Sequence, residues 1–445
     1  MVKKGKLPVK KKTDRSALVM LAGILIFTCL LYLPSLRGEF LNYDDADNVV
    51  NNVLIHRISL DMLRQCLSRA ILYMYTPLTY ISYALDYQVS GPDPFIFKLT
   101  NLLLHLLNSA LLFLLARRLF KNNAPAALLS LLFAVHPMNA DSVSWISARS
   151  NLLSVLFFIV SLLLYLQYLK EKKILFFILI AISYLFSLLS KTAGIMLPLV
   201  LLLIDYLTRR NITTRVILEK LPFFIIGIAF GLVTIYFRSD IGNPQSVMEY
   251  SLFDRFLMFF HSIAGYLVRS VLPVNLSPIY AYPVKNGDFL PILFYMAPLL
   301  LAGMTFLVSR MKILKREMIF GLLFFLVNVV ITQAVMLEDG FMANRYGYLP
   351  CIGLFFIIAA VFDHVMQGSK RRKTIIVVSL SVFLLTFSAM TRQRSQVWKT
   401  TMSLFSDAVK HSPGSAFAFN NLGIARYTAN DMEGALSDYD QAIRL

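Results

Sequence analysis

Apolar runs dominate this chain. SALVMLAGILIFTCLLYLP, LLSVLFFIVSLLLYLQYL and TIIVVSLSVFLLTFSAM are each long enough, at roughly 17–20 residues, to cross a hydrocarbon core. Many such runs lie between Ala17 and Met390, so the sequence specifies an all-α, polytopic membrane protein. Its 57% hydrophobic and 15% charged residues fall outside the range of soluble domains. No small-residue cleavage site follows LYLPSLRGEF, so the first run reads as a span and not as a cleavable signal. Cys29, Cys66 and Cys351 form no spaced set and suggest neither a disulfide nor a zinc framework.

The net charge of +18 could suggest nucleic acid, but its placement argues against it. Of the 43 Lys and Arg residues, 25 sit in six clusters: VKKGKLPVKKKTDR, ARRLFK, KEKK, TRRNITTRVILEK, SRMKILKRE and SKRRK. Each cluster ends a hydrophobic run, and they recur at every second loop. That is the positive-inside pattern, so these loops are expected in the cytoplasm. No nucleic-acid partner is expected.

Threading from a cytoplasmic N terminus gives spans near Ala17–Leu33, Lys98–Ala116, Pro125–His136, Asn151–Leu169 and Ile174–Ser190. Others follow near Gly194–Leu207, Leu221–Phe237, Phe289–Val308, Met318–Leu337, Gly347–Met366 and Thr374–Met390. RFLMFFHSIAGYLVRSVLP, Arg255 to Pro273, is apolar but carries His261 and Arg269. Counting it as a span would put SRMKILKRE outside, so it reads as an interfacial or re-entrant helix. The result is about eleven spans. A basic cytoplasmic tail (1–16) precedes a membrane domain (17–390) with an extracytoplasmic loop (34–97), and the segment 391–445 lies outside. In that last segment, Phe419, Leu422, Gly423, Ala435, Tyr439 and Ala442 follow the spacing of a tetratricopeptide repeat of about 34 residues. VWKTTMSLFSDAVKHSP fits the second helix of a preceding repeat. Arrays normally need about three repeats, so the segment reads as truncated.

This threading brings several polar loops to the extracytoplasmic face. FLNYDDADNVVNN packs Asp44, Asp45 and Asp47 just after the first span. Asp44 or Asp45 could serve as a general base, or all three could hold a divalent cation through oxygen ligands. A solvated loop is the equally weighted alternative. Arg149, Lys191 and Arg345 are cations that suit a phosphate, although Lys191 also reads as a snorkelling helix end. In HPMNADSVSWISARSN, Pro137 ends a helix and leaves His136 at the interface, with Asp141 in the returning segment. His136 could bind a metal or hydroxyl, but more often such a residue is a cap. Trp145 reads as an interfacial anchor. No Walker loop, HExxH or CxxC pattern appears.

FLNYDDADNVVNN, HPMNADSVSWISARSNLLSVLFF, SKTAGIMLPLVLLLIDYL and NRYGYLPCIG, in this order before a repeat, resemble the transmembrane and tetratricopeptide repeat-containing family. Members of that family are similar to protein O-mannosyltransferases of the GT-C fold. The resemblance implies an inverting glycosyltransferase that moves a sugar, mannose or a similar hexose, to hydroxyl groups of secreted or membrane proteins. The donor would be a polyprenyl- or dolichyl-phosphate-linked sugar, the acceptor a polypeptide, and membrane lipid the surroundings of the donor chain. It assigns the base to Asp44 or Asp45 and the lipid phosphate to Arg345, with Arg149 and Lys191 as further candidates. Asp47, His136 and Asp141 would line the site. Two positions depart from the family pattern: Asn344 stands where an acid is common, and Lys191-Thr192 stands in place of Lys-Glu. A lipid-linked sugar transporter and a membrane-anchored repeat scaffold are the competing classes. Asn275 is followed by LSP and Asn211 falls on the cytoplasmic side. The outer face therefore lacks a good glycosylation sequon, which favours a bacterial inner membrane over the endoplasmic reticulum.

Overall fold

A computed structural model describes residues 14–72, 74–120, 122–238, 250–333 and 340–445. Most of the basic N-terminal tail, the end of the Met318–Leu337 segment, and Glu338 and Asp339 lie outside the described residues. The described chain is helical throughout, with three isolated β-bridges and no strand. The all-α membrane class expected from hydropathy is therefore what the chain adopts.

Within the described residues, each of the eleven apolar segments is mainly helical. Among the described residues, five helices are long and apolar enough to cross a membrane: Arg15–Arg37, Pro94–Phe120, Ile146–Glu171, Ile292–Arg310 and Lys370–Val397. Asn123–Val135 and Pro137–Ser144 make a sixth if taken together, across a bend of 50°. Pro137 supplies no backbone N–H and restricts His136 before it to extended backbone, so the helix stops at Val135. Ile174–Ser190, Thr192–Leu207, Leu221–Phe237 and Cys351–Val365 are shorter apolar helices.

The segment expected at the interface is the amphipathic helix Leu252–Arg269, started by a Ser251–Asp254 capping box. Its Leu257, Met258, Tyr266 and Leu267 are buried, while Leu252, Phe253 and Phe256 are exposed. It is not among the helices long and apolar enough to span.

The inner faces share one core that includes Phe113, Leu132, Phe158, Leu201, Phe324 and Phe355. The outer faces remain apolar, as at Ile174, Leu299, Val378 and Leu385, which suits lipid and not water. Glycine sets one crossing. A Cβ on Gly353 would lie 2.3 Å from the Gly321 carbonyl oxygen, so helices Lys315–Gln333 and Cys351–Val365 touch backbone to backbone.

Beyond the last long helix lie Thr401–His411, Ala416–Thr428 and Met432–Arg444. The last two cross closely at Gly423, where a Cβ would meet the Tyr439 ring at 2.7 Å. The first is not a free appendage. Leu404, Phe405 and Ala408 share a buried cluster with Leu41, Trp145, Ala148 and Trp398.

Candidate active site

The acidic loop turns at Asp44 and enters a short π-helix, Ala46–Val50. Its three carboxylates have different surroundings. Asp45 is fully buried, and accepts from the Leu41 N–H at 3.1 Å, the Ser147 N–H at 3.0 Å and the Ser147 hydroxyl at 2.5 Å. Burial pushes its carboxyl up, while Ser147 and Leu41 favour the charged form. Asp44 is half-buried, within electrostatic reach of the Tyr80 phenol, and Asp47 is exposed. With Asp45 turned inward onto Ser147, the three carboxylates do not converge. Among the described residues no group of three His, Cys, Asp or Glu side chains is arranged to hold a metal.

The cations separate in the same way. Arg149 is fully buried. It pairs with Asp86 at 2.6 Å, donates to Asn101 Oδ1 and to the Phe97 and Ser82 carbonyls, and lies over the Tyr83 ring. All its nitrogens are bound to protein. Lys191 and Arg345 instead line one small pocket, with Asn151, Ser154, Asn328, Thr332 and Tyr346. The Tyr346 ring is close to both, 4.9 Å from the ammonium and 5.1 Å from the guanidinium carbon. Lys191 donates to Asn151 Oδ1 at 2.6 Å. Burial, and then the Arg345 charge, pull its ammonium down to about 7. Asn151 Nδ2 is buried and finds no hydrogen-bond partner among the described residues. Two cations and an unpartnered amide donor suit an anion.

Trp145 links this pocket to the acidic loop. It is 2% exposed and so is not the surface anchor expected from sequence: tight aromatic packing outweighs the preference of indole for the headgroup region. Tyr43, next to Asp44, stacks on it at 4.9 Å, and the Arg345 guanidinium carbon lies 5.0 Å from its centroid. Asp44 does not line the Lys191–Arg345 pocket; the two are joined through this indole.

His136 and Asp141 are buried outside that pocket. His136 accepts from the Met138 N–H through Nδ1, donates through Nε2 to the Ser270 carbonyl, and packs on Phe355 and Phe387. That is the capping arrangement. Asp141 accepts from Trp398 Nε1 at 2.7 Å, Asn344 Nδ2 at 3.0 Å and Arg394 Nε at 3.3 Å. The Asn344 departure has a local reason: an acid there would set a second carboxylate against Asp141.

Sequence reasoning missed Asn151, Tyr346, Trp398 and Arg394. Asn151 stands at the start of an apolar run and looks like an ordinary helix end. The only signal for Arg394 was a cation following a long span.

Comparison with known proteins agrees with the resemblance read from sequence. Residues 76–237 match the model of the dolichyl-phosphate-mannose-protein mannosyltransferase family, a stretch that holds Asn151 and Lys191 but neither Asp44 nor Arg345. The protein O-mannosyl-transferase F38B6.6 of Caenorhabditis elegans is 25% identical, over 98% of this chain and 64% of its own length. Human protein O-mannosyl-transferase TMTC3 is 24% identical over 83% of this chain and 44% of its own. The chain thus spans less than two thirds of either relative. Among solved structures, the Archaeoglobus fulgidus oligosaccharyltransferase tethered with an acceptor peptide gives a TM-score of 0.43 at 14% identity, covering 96% of this chain and 59% of that one. ArnT from Cupriavidus metallidurans bound to undecaprenyl phosphate gives 0.42 at 13%, covering 97% and 75%.

Proposed function

We propose that the chain is the membrane part of an inverting glycosyltransferase. It would move a sugar from a polyprenyl-phosphate carrier to hydroxyl groups of secreted or membrane proteins at the extracytoplasmic face. The observation that carries this reading is the anion pocket of Lys191, Asn151 and Arg345, joined through Trp145 and Tyr43 to Asp44. The donor phosphate sits between the two cations, with Asn151 Nδ2 as a further donor. Asp44 takes the proton from the acceptor hydroxyl as its oxygen attacks the anomeric carbon. The bond from that carbon to the phosphate oxygen breaks, and the electron pair leaves with the lipid phosphate, whose growing charge the cations stabilise. The donor's isoprenoid chain stays in lipid, which explains why the pocket opens among spanning helices.

Within this reading the earlier candidates take distinct roles. Asp45 holds the loop on Ser147, and Arg149 ties helices Pro77–Ser90 and Pro94–Phe120 together through Asp86 and Asn101. The C-terminal helices present an extended acceptor. The missing outer sequon favours a bacterial inner membrane.

The test uses membranes containing the full chain and a panel of radiolabelled polyprenyl-phosphate sugars. Asp44→Asn should lower transfer by about 10²–10⁴-fold. Asp45→Asn should instead lower stability by about 1–3 kcal/mol, because an amide cannot accept from all three donors. Full transfer by Asp44→Asn would remove the proposed base, and no transfer from any sugar by the parent chain would overturn the reading.

A further inference from the structure

A buried network centred on Asp141 has no role in the proposed mechanism. Asp141 is 2% exposed and accepts from three side chains that lead to three different places. Asn344 precedes Arg345 in one short 3-10 turn, and is itself held by the Tyr280 hydroxyl and the Ser277 carbonyl. Trp398 stacks on Trp145 at 5.2 Å, and Trp145 carries both Arg345 and Tyr43. Arg394, also buried, reaches past Asp141 to the carboxylate of Asp407 on the C-terminal helix Thr401–His411. The other oxygen of Asp407 faces His411 at 3.4 Å. The same helix places Phe405 against Tyr43.

We propose that Asp141, Arg394 and Asp407 are positioning residues that make the seating of the C-terminal helices a condition for assembling the anion pocket. A guanidinium with two carboxylates has a discrete seated geometry. When Asp407 withdraws, Arg394 loses one of its two counter-charges and pulls on Asp141, whose remaining bonds set the turn carrying Arg345 and the indole beneath it. A buried charge that loses one partner is costly, so the network switches between arrangements and does not stretch. Polypeptide bound on the C-terminal helices would thereby be sensed at the lipid-phosphate site. The identities of the anion and of the polypeptide rest on the proposed function; the coupling does not.

The test uses the full chain in nanodiscs, with undecaprenyl phosphate as the probe. The sequence has two tryptophans, Trp145 and Trp398, so indole emission, excited where tyrosine does not absorb, reports this network alone. Asp407→Asn, half-buried and isosteric, should shift that emission and weaken the probe roughly threefold to thirtyfold, and Asp407→Glu should restore both. A merely structural role would lower thermal stability but leave the affinity of the folded protein unchanged, which overturns the proposal. If the parent chain does not bind undecaprenyl phosphate, the phosphate reading falls and emission decides. A shift in Asp407→Asn then upholds the coupling, and an unshifted spectrum overturns it.

Discussion

Lys191 shows how one residue's charge can depend on its surroundings. Its ammonium is held down to about 7 by burial and then by Arg345, so it is charged below that pH and neutral above it. An anion binds the charged form and raises this value in the complex. Affinity for a polyprenyl-phosphate sugar should therefore fall as pH rises from 6 to 8, by up to about tenfold per unit. The donor's phosphodiester does not titrate in that window, so the slope belongs to the protein. Lys191→Met should bind more weakly and show no slope, measured by equilibrium binding at each pH. A flat profile for the parent chain would separate Lys191 from the phosphate. Asn151 assists in either case, because its Oδ1 fixes the ammonium and leaves Nδ2 to the ligand.

At the scale of elements, hydropathy located the helices because burial in lipid is a property of composition along a run, and every expected span is mainly helical within the described residues. What hydropathy cannot convey is which face meets which neighbour. Arg149 and Lys191 looked alike in sequence, each a cation beside a span. Their difference lies in Asp86 and Asn151, brought in by other helices. Trp145 likewise reads as an anchor until Tyr43 and Trp398 stack on it. The Gly321–Gly353 crossing was equally hidden, since two glycines in separate apolar runs carry no pairing signal. It makes a firm prediction. Gly353→Ala should lower the stability of the detergent-solubilised protein by about 1–3 kcal/mol, because its methyl would fall 2.3 Å from the Gly321 oxygen. Gly23→Ala, where nothing lies within 4 Å, is the matched control and should be neutral or slightly stabilising. Equal melting points for the two variants would show that the helices do not meet backbone to backbone.

At the scale of the whole molecule, the site works only if the acidic loop, the Lys191 turn, the Arg345 turn and the C-terminal helices share one side of the membrane. Their contacts in the fold require this: Asp45 holds Ser147, Tyr43 and Arg345 share Trp145, and Phe405 packs on Tyr43. Basic loops such as the one before helix Lys370–Val397 must then lie on the other side. Single cysteines at Asp47, Ser437 and Arg371, each exposed, measure this directly in a background where Cys29, Cys66 and Cys351 are replaced by serine or alanine. In sealed vesicles, an impermeant maleimide should label Asp47→Cys and Ser437→Cys from one side and Arg371→Cys only after permeabilisation or inversion. If Asp47 and Ser437 label from opposite sides, the loop and the C-terminal helices cannot pack together. The shared aromatic core, the anion pocket's link to Asp44 and the Asp407 coupling would then fail together.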